Sequence, residues 1–438
     1  MSPGHTTSDE SLGVANGTKL DSRPSALRTA LAGLIGNVLE WFDFAVYGYF
    51  AGDIGRQFFP QSSPTAQQLL AFAIFALGFF ARPLGSLALG TVGDRIGRRA
   101  LLTLSIALMG ASTLIIGLLP TYQQIGAAAP LLLVIMRLLQ GFSVGGEFTG
   151  SMVFTTESAS PMTRGIVSSS TAAGTTIGFI LGSGSAWLVN TLLRADQVAR
   201  WGWRIPFVAS VLFCVLGWFL RRGLHETEEG LKAVASRPPL IPSLIADWLP
   251  MIRAFGILAT TNCAYYLTFT YIVERRKNMP GGGTAFLLAN TLSLFGVLIS
   301  KPFGGWLSDR VGRRRLMLIL TVAIVVLIYP VFQLMLSGTP GQFVLGQILL
   351  AIPIGMALGL QGAMVVEIFP LRTRVTSMSL AYSVTLALAG GTAPLVSAWL
   401  IEHFGHPLAP AYYVMLHGII GLALMWPMGE TNSRELSE

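Results

Sequence analysis

The chain contains twelve apolar stretches, near residues 27–50, 67–92, 99–119, 128–156, 165–192, 204–221, 248–273, 284–307, 315–336, 342–366, 375–401 and 409–428. About twenty residues at ~1.5 Å per residue is the length of helix that crosses a hydrocarbon core of ~30 Å. No other feature restricts the fold so strongly. In lipid an open strand edge has nothing to pair with, so each stretch is expected to be a helix. Composition supports this: 52% of residues are hydrophobic and 11% charged, with a mean hydropathy of +0.63, whereas soluble domains carry about 25% charge. The expected class is an all-α integral membrane protein of twelve transmembrane helices. The 49 glycines suit closely packed membrane helices.

Orientation follows from the short connections. Those after even-numbered spans carry Arg95, Arg98 and Arg99; Arg164; Arg221, Arg222, Lys232 and Arg237; Arg310, Arg313, Arg314 and Arg315; and Arg372 and Arg374. Positive charge gathers in cytoplasmic loops, so both termini are expected in the cytoplasm. The net charge of +8 is then a topology signal, not a nucleic-acid signal. One connection breaks the pattern. "ERRKN", residues 274–278, is basic on the expected outer side, and reads as either a rim that concentrates anions or a loop meeting lipid headgroups. The expected organisation is a disordered cytoplasmic tail (1–24), a six-helix bundle (25–222), a cytoplasmic linker (223–247), a second six-helix bundle (248–428) and a cytoplasmic tail (429–438). Trp201 and Trp203 read as interfacial anchors. Cys214 and Cys263 lie in apolar runs without metal-ligand spacing and read as packing residues.

"GTVGDRIGRR", residues 90–99, returns as "GWLSDRVGRR", residues 305–314, each in the turn between the second and third span of its half. "ESASPMTRG" (157–165) likewise pairs with "EIFPLRTRV" (367–375) after spans four and ten. The chain is therefore a duplicated six-helix unit, and duplicated halves around a midplane site are a transporter architecture. Gly97 and Gly312 permit positive φ, and each Asp is placed to sit at a helix end beside arginines. A bundle that rocks needs clasps made in one state and broken in the other. The candidates are Gly90, Asp94, Arg95, Gly97, Arg98, Arg99, Glu157 and Arg164 in the first half, with Gly305, Asp309, Arg310, Gly312, Arg313, Arg314, Glu367 and Arg374 in the second. A single copy would read equally well as positive-inside anchoring.

This duplicated turn resembles the loop signature of the major facilitator superfamily. "GNVLEWFDFAVYGYFA" (36–51), "GFFARPLGS" (78–86), "RLLQGFSVGGEFTG" (137–150) and "WGWRIPF" (201–207) resemble its metabolite:proton symporter family. The resemblance spans about residues 27 to 428. It implies two pseudo-symmetric bundles, alternating access, and proton-coupled uptake across a bacterial inner membrane. The family includes transporters of citrate, 2-oxoglutarate, other dicarboxylates, shikimate, proline and betaine. The long C-terminal coiled coil of some osmolyte-type members does not follow Glu438.

An ionisable side chain at bilayer depth costs at least ~2.5–3.5 kcal/mol on insertion scales and is a functional candidate. Glu40 and Asp43 lie three apart on one face of span one. They read either as a pair that resists double ionisation or as partners of Arg82 and Arg137 in structural ion pairs. Arg137 opens "RLLQG", which resembles a fourth-helix motif associated with proton transfer, and Glu147 follows further along the same helix. The expected proton-coupling set is thus Asp43, Glu147, Arg137 and Glu40. Arg82 reads as a substrate clamp or the partner of an acid, and Lys301 as a substrate ligand or a snorkelling side chain. Asn37, Tyr47, Asn262, Tyr265 and Tyr266 are placed to line a midplane cavity.

No phosphate loop, nucleophile elbow or metal cluster is present, so an enzyme is not expected. The function expected is proton-coupled symport of a small carboxylated metabolite, with a zwitterionic osmolyte as the alternative and a drug-type exporter or a sensor as further readings. The expected partners are substrate, protons and the bilayer, without nucleic acid or cofactor, in a monomer.

Overall fold

The computed structural model describes the backbone of residues 26–96, 98–145, 147–221, 240–279, 281–432 and 436, and the side chains of 34–89, 103–145, 148–219, 242–279, 281–432 and 436. Among the described residues the longer helical runs fall into twelve segments, here called spans one to twelve, apart from the short helices Ala51–Phe58, Tyr122–Ile125 and Leu240–Ala246. Those of the first half are Ala26–Tyr49, Pro64–Ile96, Arg98–Leu118, Ala128–Glu157, Arg164–Leu192, and a broken sixth made of Ala195–Gly202 and Arg204–Phe219. Those of the second are the run from Trp248 to Asn278, then Thr284–Val311, Arg313–Ser337, Pro340–Ile368, Arg374–Phe404 and Ala409–Met425. Among the described residues seven are long and apolar enough to cross a membrane, and the broken sixth, counted as one span, makes an eighth. The remaining four are shorter apolar, partly described or interrupted segments.

Pairing within each half follows the small residues. Span one packs on span five, span two on span four, and span eight on span ten. Across the halves the seams are span five against span eight and span two against span eleven. At the first seam Gly165 meets Gly305 so closely that a Cβ on Gly165 would lie 2.4 Å from the Gly305 carbonyl oxygen. Only glycine lets two backbones approach that far.

Three differences from the sequence reading bear on the site. "ERRKN" is not a loop: the helix of span seven runs through a π turn at Leu267–Tyr271 and continues to Asn278. This carries the basic residues inward, where Lys277 is buried among acids. Trp203 is no interfacial anchor. A π turn at Val198–Gly202 and a 43° bend rotate it into the core, fully buried against Phe58 and Phe207, while Trp201 stays exposed. Finally, Glu430 and Thr431, in the stretch read as a tail, dock on the helices beside them.

Candidate transport site and clasps

Span one places Glu40 and Asp43 one turn apart, yet they do not confront each other. Arg82 of span two forms an ion pair with Glu40 at 2.7 Å, and Nη1 of Arg137 in span four donates to Asp43 at 3.1 Å. All four side chains are buried. The charges are also sheathed in rings: the Arg137 guanidinium lies 4.6 Å from the centre of Phe44 and 4.4 Å from that of Tyr47, and Arg82 lies 5.6 Å from Trp41. Cation–π contact offsets part of the desolvation each guanidinium suffers. Arg137 further donates to Gln140 (2.9 Å), whose amide donates to Thr113 (2.9 Å). Of the two readings of these acids, the structure shows two separate ion pairs, with Arg82 and Arg137, and not one interacting carboxylate pair. Tyr47, expected in the cavity, is instead held against Arg137, with its hydroxyl donating to the Ala71 carbonyl (3.2 Å). The side chain of Glu147 lies outside the described residues.

A small cavity of about 20 Å³ sits between the halves, walled by Trp41, Phe148, Tyr265 and Tyr382 and edged by Thr175, Asn262, Gln361 and Lys301. That is room for roughly one water molecule. Of the expected lining, Asn262, Tyr265 and Lys301 are brought together there. Tyr266 packs beside it against Trp41, Phe79 and Phe179. Asn37 is buried against Gly174, and Arg82 stands behind Trp41. Lys301 does not snorkel: it is 1% exposed, and its ammonium donates across the seam to the Ala172 carbonyl (2.6 Å) and the Thr175 hydroxyl (2.8 Å) of span five. An ammonium has three donors, which leaves one for the cavity. Sequence reasoning missed Trp41, Phe148, Tyr382, Gln361 and Thr175. Only the "EWFDF" stretch gave any signal, because aromatic and amide residues inside apolar spans have no periodicity of their own.

At the face where span one begins and span twelve ends, the terminal face, the second copy of the repeated turn joins the halves. Asp309 accepts from the backbone N–H of Gly165 (2.8 Å) and Ile166 (3.1 Å), capping span five of the opposite half. Arg313 holds that carboxylate (2.9 Å) while its Nε donates to Glu367 (2.7 Å); Arg164 lies 4.0 Å from the same Glu367. A second bridge across the halves, Arg374 to Glu157, measures 2.6 Å. Gly312 turns the chain at φ 104°, and the Glu430 carboxylate fits against it, accepting from the N–H of Arg314 (3.0 Å) and Arg315 (2.9 Å). Thr431 donates to Glu367 (2.6 Å), and the Arg314 side chain bonds the carbonyls of Met425 and Trp426. Arg310 does not join this cluster but lies over Trp306, 4.1 Å from its ring centre. In the first copy, Gly97 and the side chains of Asp94, Arg95, Arg98 and Arg99 lie outside the described residues; Gly90 is described only as helical backbone.

Comparison with known proteins agrees with this fold. Residues 29–229 match the family model of the sugar (and other) transporters, and residues 281–434 that of the Major Facilitator Superfamily. The proline/betaine transporter of Escherichia coli (strain K12) is 36% identical over 425 residues, covering 94% of this chain and 85% of its own. The citrate-proton symporter of Klebsiella pneumoniae is 35% identical over 392 residues, covering 88% of each chain. The solved structure of the proton:xylose symporter XylE, bound to 6-bromo-6-deoxy-D-glucose, shares the fold at a TM-score of 0.74 and 17% identity, covering 94% of this chain and 97% of that one. With two six-helix halves, a repeated charged turn and relatives matched along nearly its whole length, the chain belongs to the major facilitator superfamily and is a membrane transporter, not an enzyme.

Proposed function

We propose that this protein is a proton-coupled symporter that carries a small carboxylate-bearing solute by alternating access across a bacterial inner membrane, with the terminal face cytoplasmic. The observation that carries the proposal is Lys301, an ammonium locked across the seam by two bonds, with its remaining donor next to an aromatic-walled cavity. A substrate carboxylate takes that donor. The rings of Trp41, Phe148, Tyr265 and Tyr382 suit an onium group at the other end, which favours a betaine-like zwitterion. A di- or tricarboxylate is the second reading, favoured by Arg82 behind Trp41 as a further cation. Relatives named for proline/betaine and for citrate support both.

Asp43 is the proton site in this proposal. Its ion pair with Arg137 is sealed from water in the closed conformation, so protonation at one face and release at the other require the halves to move. The proton is the coupling ion, no cofactor takes part, and the unit is a monomer. The test is radiolabelled uptake into proteoliposomes with and without a pH gradient, across a panel of betaine, proline, citrate and dicarboxylates. Lys301→Met should raise the apparent KM for the transported solute by about 30-fold or more, the loss of one charge-assisted bond of ~2–3 kcal/mol. An unchanged KM removes Lys301 from the binding site, and uptake indifferent to the pH gradient removes the coupling.

A further inference from the structure

The face opposite the termini is also shut, by residues to which no role has been assigned above. Lys277, near the end of span seven, donates to the Tyr49 carbonyl (2.9 Å) and pairs with Glu274 (2.8 Å) and Asp53 (3.7 Å). Glu274, fully buried, accepts from the N–H of Gly52 (3.1 Å) and from Asn278 (2.9 Å). Arg56 closes the group on Asp53. Beneath this charged layer is a neutral one. The Tyr49 hydroxyl donates to the Phe269 carbonyl (2.7 Å) in the π turn of span seven, and Asn290 donates to Tyr49 (2.8 Å) and Ser183 (2.9 Å). Gln347 donates to the side-chain Oδ1 of Asn290 (2.7 Å). Tyr49, Asp53 and Ser183 belong to the first half; Glu274, Lys277, Asn290 and Phe269 belong to the second.

We propose that Asp53, Glu274 and Lys277 are the gate of this face, with Lys277 its bolt and the Tyr49–Asn290–Ser183 network the seal beneath it. Closed, the lysine neutralises two buried carboxylates and satisfies the Tyr49 carbonyl. Open, the same groups enter water and need no partner. Removing the lysine therefore penalises the closed state alone, because it leaves Glu274 as a buried carboxylate without a cation, while Arg56 still holds Asp53. The inward turn of this segment also removes the anion-attracting rim: Arg276 is spent on the Gly338 carbonyl (3.2 Å) and the face of Phe286 (4.3 Å).

The experiment uses full-length protein with Cys214 and Cys263 replaced by Ala, and a membrane-impermeant maleimide as probe. Ser183→Cys reports the sealed layer, and Ser168→Cys, 1% exposed near the terminal face, reports the opposite gate. Lys277→Gln should speed labelling of the Ser183→Cys protein by about tenfold or more without speeding that of Ser168→Cys, while Lys277→Arg stays near the parent rate. The acceleration should appear in right-side-out vesicles, a detail that rests on the orientation proposed above. Acceleration confined to inside-out vesicles upholds the gate and refutes the orientation. Unchanged labelling at Ser183→Cys overturns the gate, as does an equal rise at both reporters, which marks general loosening.

Discussion

Asp309→Asn is the perturbation whose size follows most directly from the structure. The carboxylate caps span five of the opposite half through two backbone N–H groups at 2.8 and 3.1 Å. It is 5% exposed. An asparagine of the same shape keeps one acceptor oxygen but turns an NH₂ toward the second donor, so one bond to a charged acceptor is lost, at ~1.5–3 kcal/mol. Removing negative charge from a helix N-terminus forfeits a further ~0.3–1 kcal/mol. Arg313 retains Glu367, so the rest of the cluster stays satisfied. The terminal face should therefore close less readily by ~2–4 kcal/mol, an equilibrium shift of roughly 30- to 700-fold. The shift has two readouts in vesicles. Maleimide labelling of Ser168→Cys from the terminal face should rise by at least about tenfold, and the maximal uptake rate should fall while the protein remains in the membrane at parental abundance. Parental labelling together with parental transport would refute the idea that Asp309 holds the halves together.

Two further outcomes test other joints of the same machine. Asp43→Asn should abolish uphill accumulation driven by a pH gradient yet leave exchange between equilibrated substrate pools, measured by counterflow in proteoliposomes; retained accumulation would place the proton elsewhere. Gly165→Ala brings a Cβ within 2.4 Å of a backbone oxygen that cannot yield, so terminal-face closure should be disfavoured by ~1–3 kcal/mol, seen as faster Ser168→Cys labelling, with Ser185→Ala as a neutral control in the same helix.

The sequence by itself determined what the bilayer selects for. Twelve apolar lengths, the duplicated Gly-Asp-Arg-Gly-Arg-Arg turn and the few charges within spans were legible because lipid taxes every polar group, so those retained stand out against an apolar background. The charged cluster of Asp309, Arg313 and Glu367 was legible for a second reason: repetition at equivalent places in two halves. The choice between readings was not legible. Glu40 and Asp43 share a helix face and could pair with each other or with Arg82 and Arg137; spans two and four bring each its own arginine, because guanidinium placement depends on how three helices cross. Lys301 read equally as a substrate ligand or a snorkelling residue until span five supplied a carbonyl and a hydroxyl. Lys277 looked like part of a loop until a π turn five residues long carried its helix onward and turned it toward Asp53 and Tyr49. Local sequence sets which residues are helical and which are expensive to bury; the packing of two halves decides where each buried charge finds the group that neutralises it.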